Sequence, residues 1–123
     1  MKLDHIGVIV KDTDESIAFY TQVLGAKIVD SHARPDLRLT FLEVGGQIIE
    51  LVQRLGSEYV AREWGPVDHI AFVVEDLVLA LEKVKSAGAP ILYPEPVRVA
   101  NKLITFFTGP DGERLEFVEY IKE

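Results

Sequence analysis

Four residues of types that bind metal ions recur in step along this chain: His5 and His69, 64 positions apart, and Glu50 and Glu116, 66 apart. Each histidine holds the same place in an alternating apolar run, LDHIGVIVKD at 3–12 and VDHIAFVVED at 67–76. Each glutamate follows a glycine by four residues, Gly46 in GGQIIELVQ and Gly112 in DGERLEFVEY. Self-similarity at about half the chain length marks a duplicated supersecondary unit. Glu50 shares a strand face with Ile48 and Val52, and Glu116 shares one with Arg114 and Val118, while Ile49, Leu51, Leu115 and Phe117 point the other way. A carboxylate within such apolar strands is costly to bury unless it is paired or bound to a cation. Two neutral imidazoles and two carboxylates balance a divalent ion and offer nitrogen and oxygen donors suited to Ni, Co, Zn, Fe or Mn. A lone strand histidine is more often a hydrogen-bonded structural residue, and a lone strand glutamate is more often solvated. Recurrence in both halves favours the ligand role for all four. His32, in a loop beside no second donor, is read as a surface residue, and Phe19, Tyr20 and Trp64 as packing residues.

The elements that must position these side chains repeat as well. Leu3–Val10 alternates with period two, so His5, Gly7 and Ile9 face away from Ile6, Val8 and Val10. Asp12 and Glu15 form a capping pair for a helix over Thr13–Leu24, with Gly25 as a left-handed stop. Ala26–Ser31 reads as a strand and His32–Asp36 as a loop. Leu37–Val44 and Gln47–Gln53 read as two strands joined through Gly45-Gly46, which can supply the positive φ values of a tight hairpin. Arg54–Pro66 has no counterpart in the second half and is taken as the connection, with Ser57 capping a short helix through Trp64. The second half predicts a strand at Val67–Val74, a helix over Leu77–Ala87 stopped by Gly88, and a strand beginning at Ile91–Tyr93. A final pair, Leu103–Thr108 and Glu113–Ile121, is joined by Gly109-Pro110-Asp111-Gly112. Pro90, Pro94 and Pro96 keep their section out of any central strand. The expected organisation is one domain over 1–123, with modules at about 1–53 and 67–123.

Composition narrows the function classes. A chain of 123 residues, 48 % hydrophobic, is the size of one ordinary domain. Halves of about sixty residues would be marginal alone, which favours shared burial with each other or with a second copy. The absence of cysteine removes disulfides, thiolate metal sites and a cysteine nucleophile. A net charge of −7 with scattered basic residues disfavours nucleic acid as a partner. No apolar run approaches a membrane span and no leader segment is recognised, so a cytoplasmic, soluble protein is expected.

Taken together, DHIGVIVKD, FYTQVLGAKI, GGQIIELVQ, VDHIAFVVED and GPDGERLEFVE resemble the vicinal oxygen chelate superfamily over essentially the whole chain. That superfamily includes glyoxalase I, methylmalonyl-CoA epimerase, fosfomycin-resistance enzymes, extradiol dioxygenases and bleomycin-resistance proteins. The resemblance implies an α+β fold of two βαβββ modules whose curled mixed sheets form a cup around one divalent metal ion, often in a homodimer. The ligand positions fall on His5, Glu50, His69 and Glu116. It further implies a lyase or isomerase in which a metal-bound glutamate loosens to move a proton beside a chelated carbonyl, a role falling on Glu116 with Glu50 as the second candidate. The implied small-molecule substrate is a thiol hemithioacetal in the glyoxalase I reading and an acyl-CoA in the epimerase reading. A bleomycin-type protein would sequester a ligand without metal and would not need all four positions. The chain departs from the bacterial glyoxalase pattern at Ile9, where those enzymes carry arginine on the first strand. Arg34, Arg38, Arg98 and Lys102 are the remaining candidates for an anionic substrate group.

Overall fold

The computed structural model describes residues 1–61 and 65–122, and the chain divides into two compact units of the same plan. The first, Met1–Ala61, contains β1 (Ile6–Ile9), α1 (Thr13–Leu24), β2 (Lys27–Arg34), β3 (Leu37–Val44) and β4 (Gln47–Arg54). The second contains β5 (Ile70–Val73), α2 (Leu77–Ser86), β6 (Val97–Val99), β7 (Lys102–Thr108) and β8 (Arg114–Tyr120). Each unit is a four-stranded mixed sheet, in the orders β1-β4-β3-β2 and β5-β8-β7-β6. Only the first strand of each unit runs parallel to its neighbour. The fold class is therefore α+β, with the strand, helix and three strands repeated as the sequence implies.

Local chemistry sets the helix limits in the same way twice. The Asp12 carboxylate accepts from the Glu15 backbone N–H at 3.1 Å, and Asp76 accepts from that of Leu79 at 3.1 Å. These caps satisfy donors that have no partner inside the helix. A second tie joins each helix start to the end of the central strand. Gln53 Oε1 accepts from the Thr13 N–H and hydroxyl at 2.9 and 2.6 Å, and Glu119 Oε1 accepts from the Leu77 N–H at 2.7 Å. Gly25 (φ 66°) then turns the chain out of α1 through the left-handed region.

Each helix covers one face of its sheet. Tyr20, Val23, Leu42, Ile49 and Leu51 form the core of the first unit, and Leu77, Leu81, Val84, Phe107, Leu115 and Phe117 that of the second. Phe19 and Tyr20 pack as expected. By strand alternation, Glu50 and Glu116 stand on the face opposite the helix.

Several boundaries differ from the sequence reading. The first strand of each unit is shorter than its apolar run, so His5 and His69 each lie one residue before it. The second strand continues to Arg34, which puts His32 in β2 and reduces the predicted loop to the turn at Pro35-Asp36. Ile91–Tyr93 makes one isolated bridge, Ile91 to Phe107, and the edge strand forms at Val97–Val99. Pro94 and Pro96 lack the N–H groups that pairing requires, so the strand waits until they are passed. Residues 55–61 form no helix after Ser57; the rest of that prediction, and Trp64, lie outside the described residues.

Candidate functional site

The same four-part arrangement occurs on the helix-free face of each unit. In the first, Glu50 of β4 pairs across the sheet with Gly7 of β1 on one side and Phe41 of β3 on the other. In the second, Glu116 of β8 lies between Ala71 of β5 and Phe106 of β7. Directly paired residues project to the same side. The histidine two positions before Gly7 or Ala71 reaches over that row: His5 Nε2 stands 3.6 Å from Glu50 Oε1, and His69 Nε2 stands 3.2 Å from Glu116 Oε1. Phe41 and Phe106 meet these imidazoles edge to face, at centroid distances of 6.1 and 5.2 Å.

The other ring nitrogen is also occupied in both units. His5 Nδ1 lies 2.7 Å from Asp4 Oδ2, and His69 Nδ1 lies 2.7 Å from Asp68 Oδ2. A carboxylate can only accept, so each Nδ1 carries the proton and donates it. In the neutral ring the Nε2 lone pair then faces a glutamate oxygen, two acceptors opposed across a short gap. That arrangement calls for a proton or a cation between them. An aspartate holding the tautomer of a ligating histidine is also how metal sites orient their imidazoles. Each unit therefore offers one imidazole nitrogen and one carboxylate oxygen, donor types that a divalent ion takes. Among the described residues no group of three or more His, Asp or Glu side chains is arranged to hold an ion, so each unit on its own offers a pair.

Charge tunes these groups. The hydrogen bond to Asp4 raises the His5 pKa above its ordinary 6.5, burial opposes the shift, and Glu50 adds to it. The hydrogen bond from His69 lowers the Asp68 carboxyl pKa, burial opposes it, and Arg114 assists from 3.4 Å. Arg114 also covers the Phe106 ring at 4.6 Å. Among the described residues, Glu116 is the one charged residue that is buried.

Of the four basic candidates, two face the helix side. Arg38 alternates with Leu37 and Leu39 and pairs with Asp14 of α1 at 3.0 Å. Arg98 pairs across the sheet with Leu103, whose β8 partner is the Glu119 that holds α2, and it donates to the Ala100 carbonyl at 3.2 Å. Arg34 and Lys102 stand on the glutamate side. Lys102 helps to line a cavity of about 250 Å³ with Ala71, Ile104, Glu116, Val118 and Tyr120.

Asp4, Asp68, Phe41 and Phe106 escaped the sequence reading as parts of the site. The signal for the aspartates was present, since both histidines are preceded by aspartate.

The Glyoxalase/Bleomycin resistance protein/Dioxygenase superfamily model matches residues 2–117. An uncharacterised protein of Bacillus subtilis, YwbC, is 36 % identical, covering 96 % of this chain and 97 % of its own. Lactoylglutathione lyase of Salmonella typhimurium is 32 % identical over 97 % of this chain and 93 % of its own. Among solved structures, an E144Q mutant of glyoxalase I from Zea mays superposes with a TM-score of 0.82 at 25 % identity, covering 98 % of this chain and 46 % of that one. With the duplicated fold and donor pairs in place, the chain belongs to the Glyoxalase/Bleomycin resistance protein/Dioxygenase superfamily.

Proposed function

We propose that the protein is a divalent-metal-dependent, glyoxalase I-like lyase that isomerises a thiol hemithioacetal, with His5, Glu50, His69 and Glu116 as metal ligands. The observation that carries this reading is the repeated Asp–His–Glu set, in which a fixed tautomer aims an imidazole lone pair at a carboxylate. The likeness to lactoylglutathione lyase over nearly the full length of both chains supports it. A bound divalent ion would polarise two neighbouring substrate oxygens and stabilise the charge left when the carbon between sulfur and carbonyl loses its proton.

The chain's own residues supply the rest. Glu116 takes that proton on a carboxylate oxygen and returns it to the adjacent carbon, so substrate and product are isomers and no co-reactant is consumed. Its side chain is 11 % exposed and lies beside His69 and Phe106, which limits the water that can reach it. Asp68 and Asp4 keep the two imidazoles in the ligating tautomer throughout. Glu50, on the more open of the two pairs, serves as ligand and as the second candidate base.

The test is metal analysis of protein purified without chelator, followed by hemithioacetal and acyl-CoA assays with added Ni, Co, Zn, Fe or Mn. Bound metal lost in His69→Ala and Glu116→Ala, with hemithioacetal turnover and no acyl-CoA turnover, is the expected result. Acyl-CoA turnover alone would replace this reading with an epimerase one. A protein that retains neither metal nor activity would point to ligand sequestration.

A further inference from the structure

We propose that β2 carries a binding subsite for an anionic group of the substrate, formed by His32 and Arg34; this rests on the reading above for where the reacting end of the substrate lies. Strand alternation alone would send both residues to the helix side. A bulge intervenes: Ile28 pairs with Leu42, but Asp30 pairs with Phe41, so Val29 is an extra residue and the alternation reverses after it. Asp30, His32 and Arg34 thereby join Phe41, Leu39 and Leu37 on the face that carries Glu50.

Three observations make this a site rather than surface charge. His32 and Arg34 line, with Leu37 and Leu39, a cavity of about 400 Å³. The His32 ring, 63 % exposed, makes two contacts, with Asp30 Oδ2 at 3.2 Å from Nε2 and with the Phe41 edge at 6.0 Å. The Arg34 side chain makes no hydrogen bond or ion pair with another described residue, in a chain that carries seven surplus negative charges. A free guanidinium beside an oriented imidazole, over a leucine floor, matches a carboxylate or phosphate attached to a short apolar stem.

The position also sets a length. Phe41 touches both His5 and His32, so the two imidazole centroids lie within about 12 Å of each other. A substrate whose chelating oxygens sit at His5 and Glu50 would therefore meet the His32 ring within that span, the reach of a peptide-like thiol or the near end of a longer one. In the second unit the positions corresponding to His32 and Arg34 are Val97 and Val99, so the subsite belongs to one module alone.

The test follows the three histidine ring signals by NMR in the full chain, at fixed pH, with and without added zinc. The probes are S-methylglutathione, its diethyl ester and inorganic phosphate. The His32 signal should shift saturably with S-methylglutathione or with phosphate, and whichever anion acts names the group bound. It should stay still with the ester, lose its response in Arg34→Ala and recover part of it in Arg34→Lys. No movement with either anion, an equal response to the ester, or an unchanged response in Arg34→Ala would overturn the proposal. In kinetics, Arg34→Ala should raise KM for the acid substrate roughly tenfold, the scale of one charged hydrogen bond, with kcat nearly constant. Hemithioacetal turnover with an unresponsive His32 would remove the subsite and keep the activity. A saturable His32 response in a protein that turns over neither substrate class would do the reverse.

Discussion

The two units hold the same machinery at one end of the site face and different machinery at the other. Across the glutamate row both read small residue, glutamate, phenylalanine, with an aspartate-held histidine above. One row on, Val52, Leu39 and His32 stand where the second unit has Val118, Ile104 and Val97. A further row on, Arg54, Leu37 and Arg34 correspond to Tyr120, Lys102 and Val99, with Lys102 lying over the Tyr120 ring at 5.6 Å. On the proposed reading, the duplicated part serves the ion and the diverged part serves recognition of the organic substrate. The histidine supports differ too. Asp4 is 91 % exposed, while Asp68 is 58 % exposed and is backed by Arg114. The second pair is thus the more firmly held.

Four measurements would sharpen or break that contrast. The largest effect is expected at the glutamates: Glu116→Gln should lower kcat for hemithioacetal isomerisation by about 10³-fold, within the range of a lost general base, and Glu50→Gln by roughly tenfold. Equal losses would erase the functional asymmetry. Next, Asp68→Asn should weaken the affinity for nickel or zinc by roughly 10 to 100-fold, as loss of a histidine's outer partner does. Calorimetric titration should find the smaller effect at Asp4→Asn, and the opposite order would mean that exposure does not govern the support. Third, protonated His5 cannot ligate and its pKa is raised, so metal affinity should fall as the pH drops through a midpoint above 6.5. Removing Asp4 takes away the largest cause of that rise, and the acid edge of metal binding should move to lower pH in Asp4→Asn. The smallest effect concerns stability. The β2–β3 turn uses Pro35-Asp36, whereas the β6–β7 turn puts Ala100 at φ 54°, in the left-handed region. Ala100→Gly should stabilise the protein by about 1 kcal/mol, read as a higher thermal midpoint.

Much of this was legible in the chain because duplication prints each signal twice. Asp12 and Asp76, the Gly45-Gly46 hairpin with φ 56° and 82°, and the histidines and glutamates are all local or periodic signals. What stayed hidden depends on pairing. The edge strand β6 is set by its bonds to β7 and not by its own proline-interrupted sequence. The reversal at Val29 has no sequence mark, since a bulge is defined by the partner strand. His32 was therefore read as loop surface although it stands beside Phe41. The aspartate supports were visible as residues but not as a role, because only geometry distinguishes a hydrogen-bonded neighbour from a solvated one.

The extra residue in β2 uncouples the start of the strand from its charged end. Deleting Val29 would remove the bulge and leave Ile28 on Leu42 and Asp30 on Phe41, so the imidazole and guanidinium would keep the face that carries Glu50. A scaffold built this way absorbs the gain or loss of one codon at the bulge and keeps the charged end of the strand in step with β3.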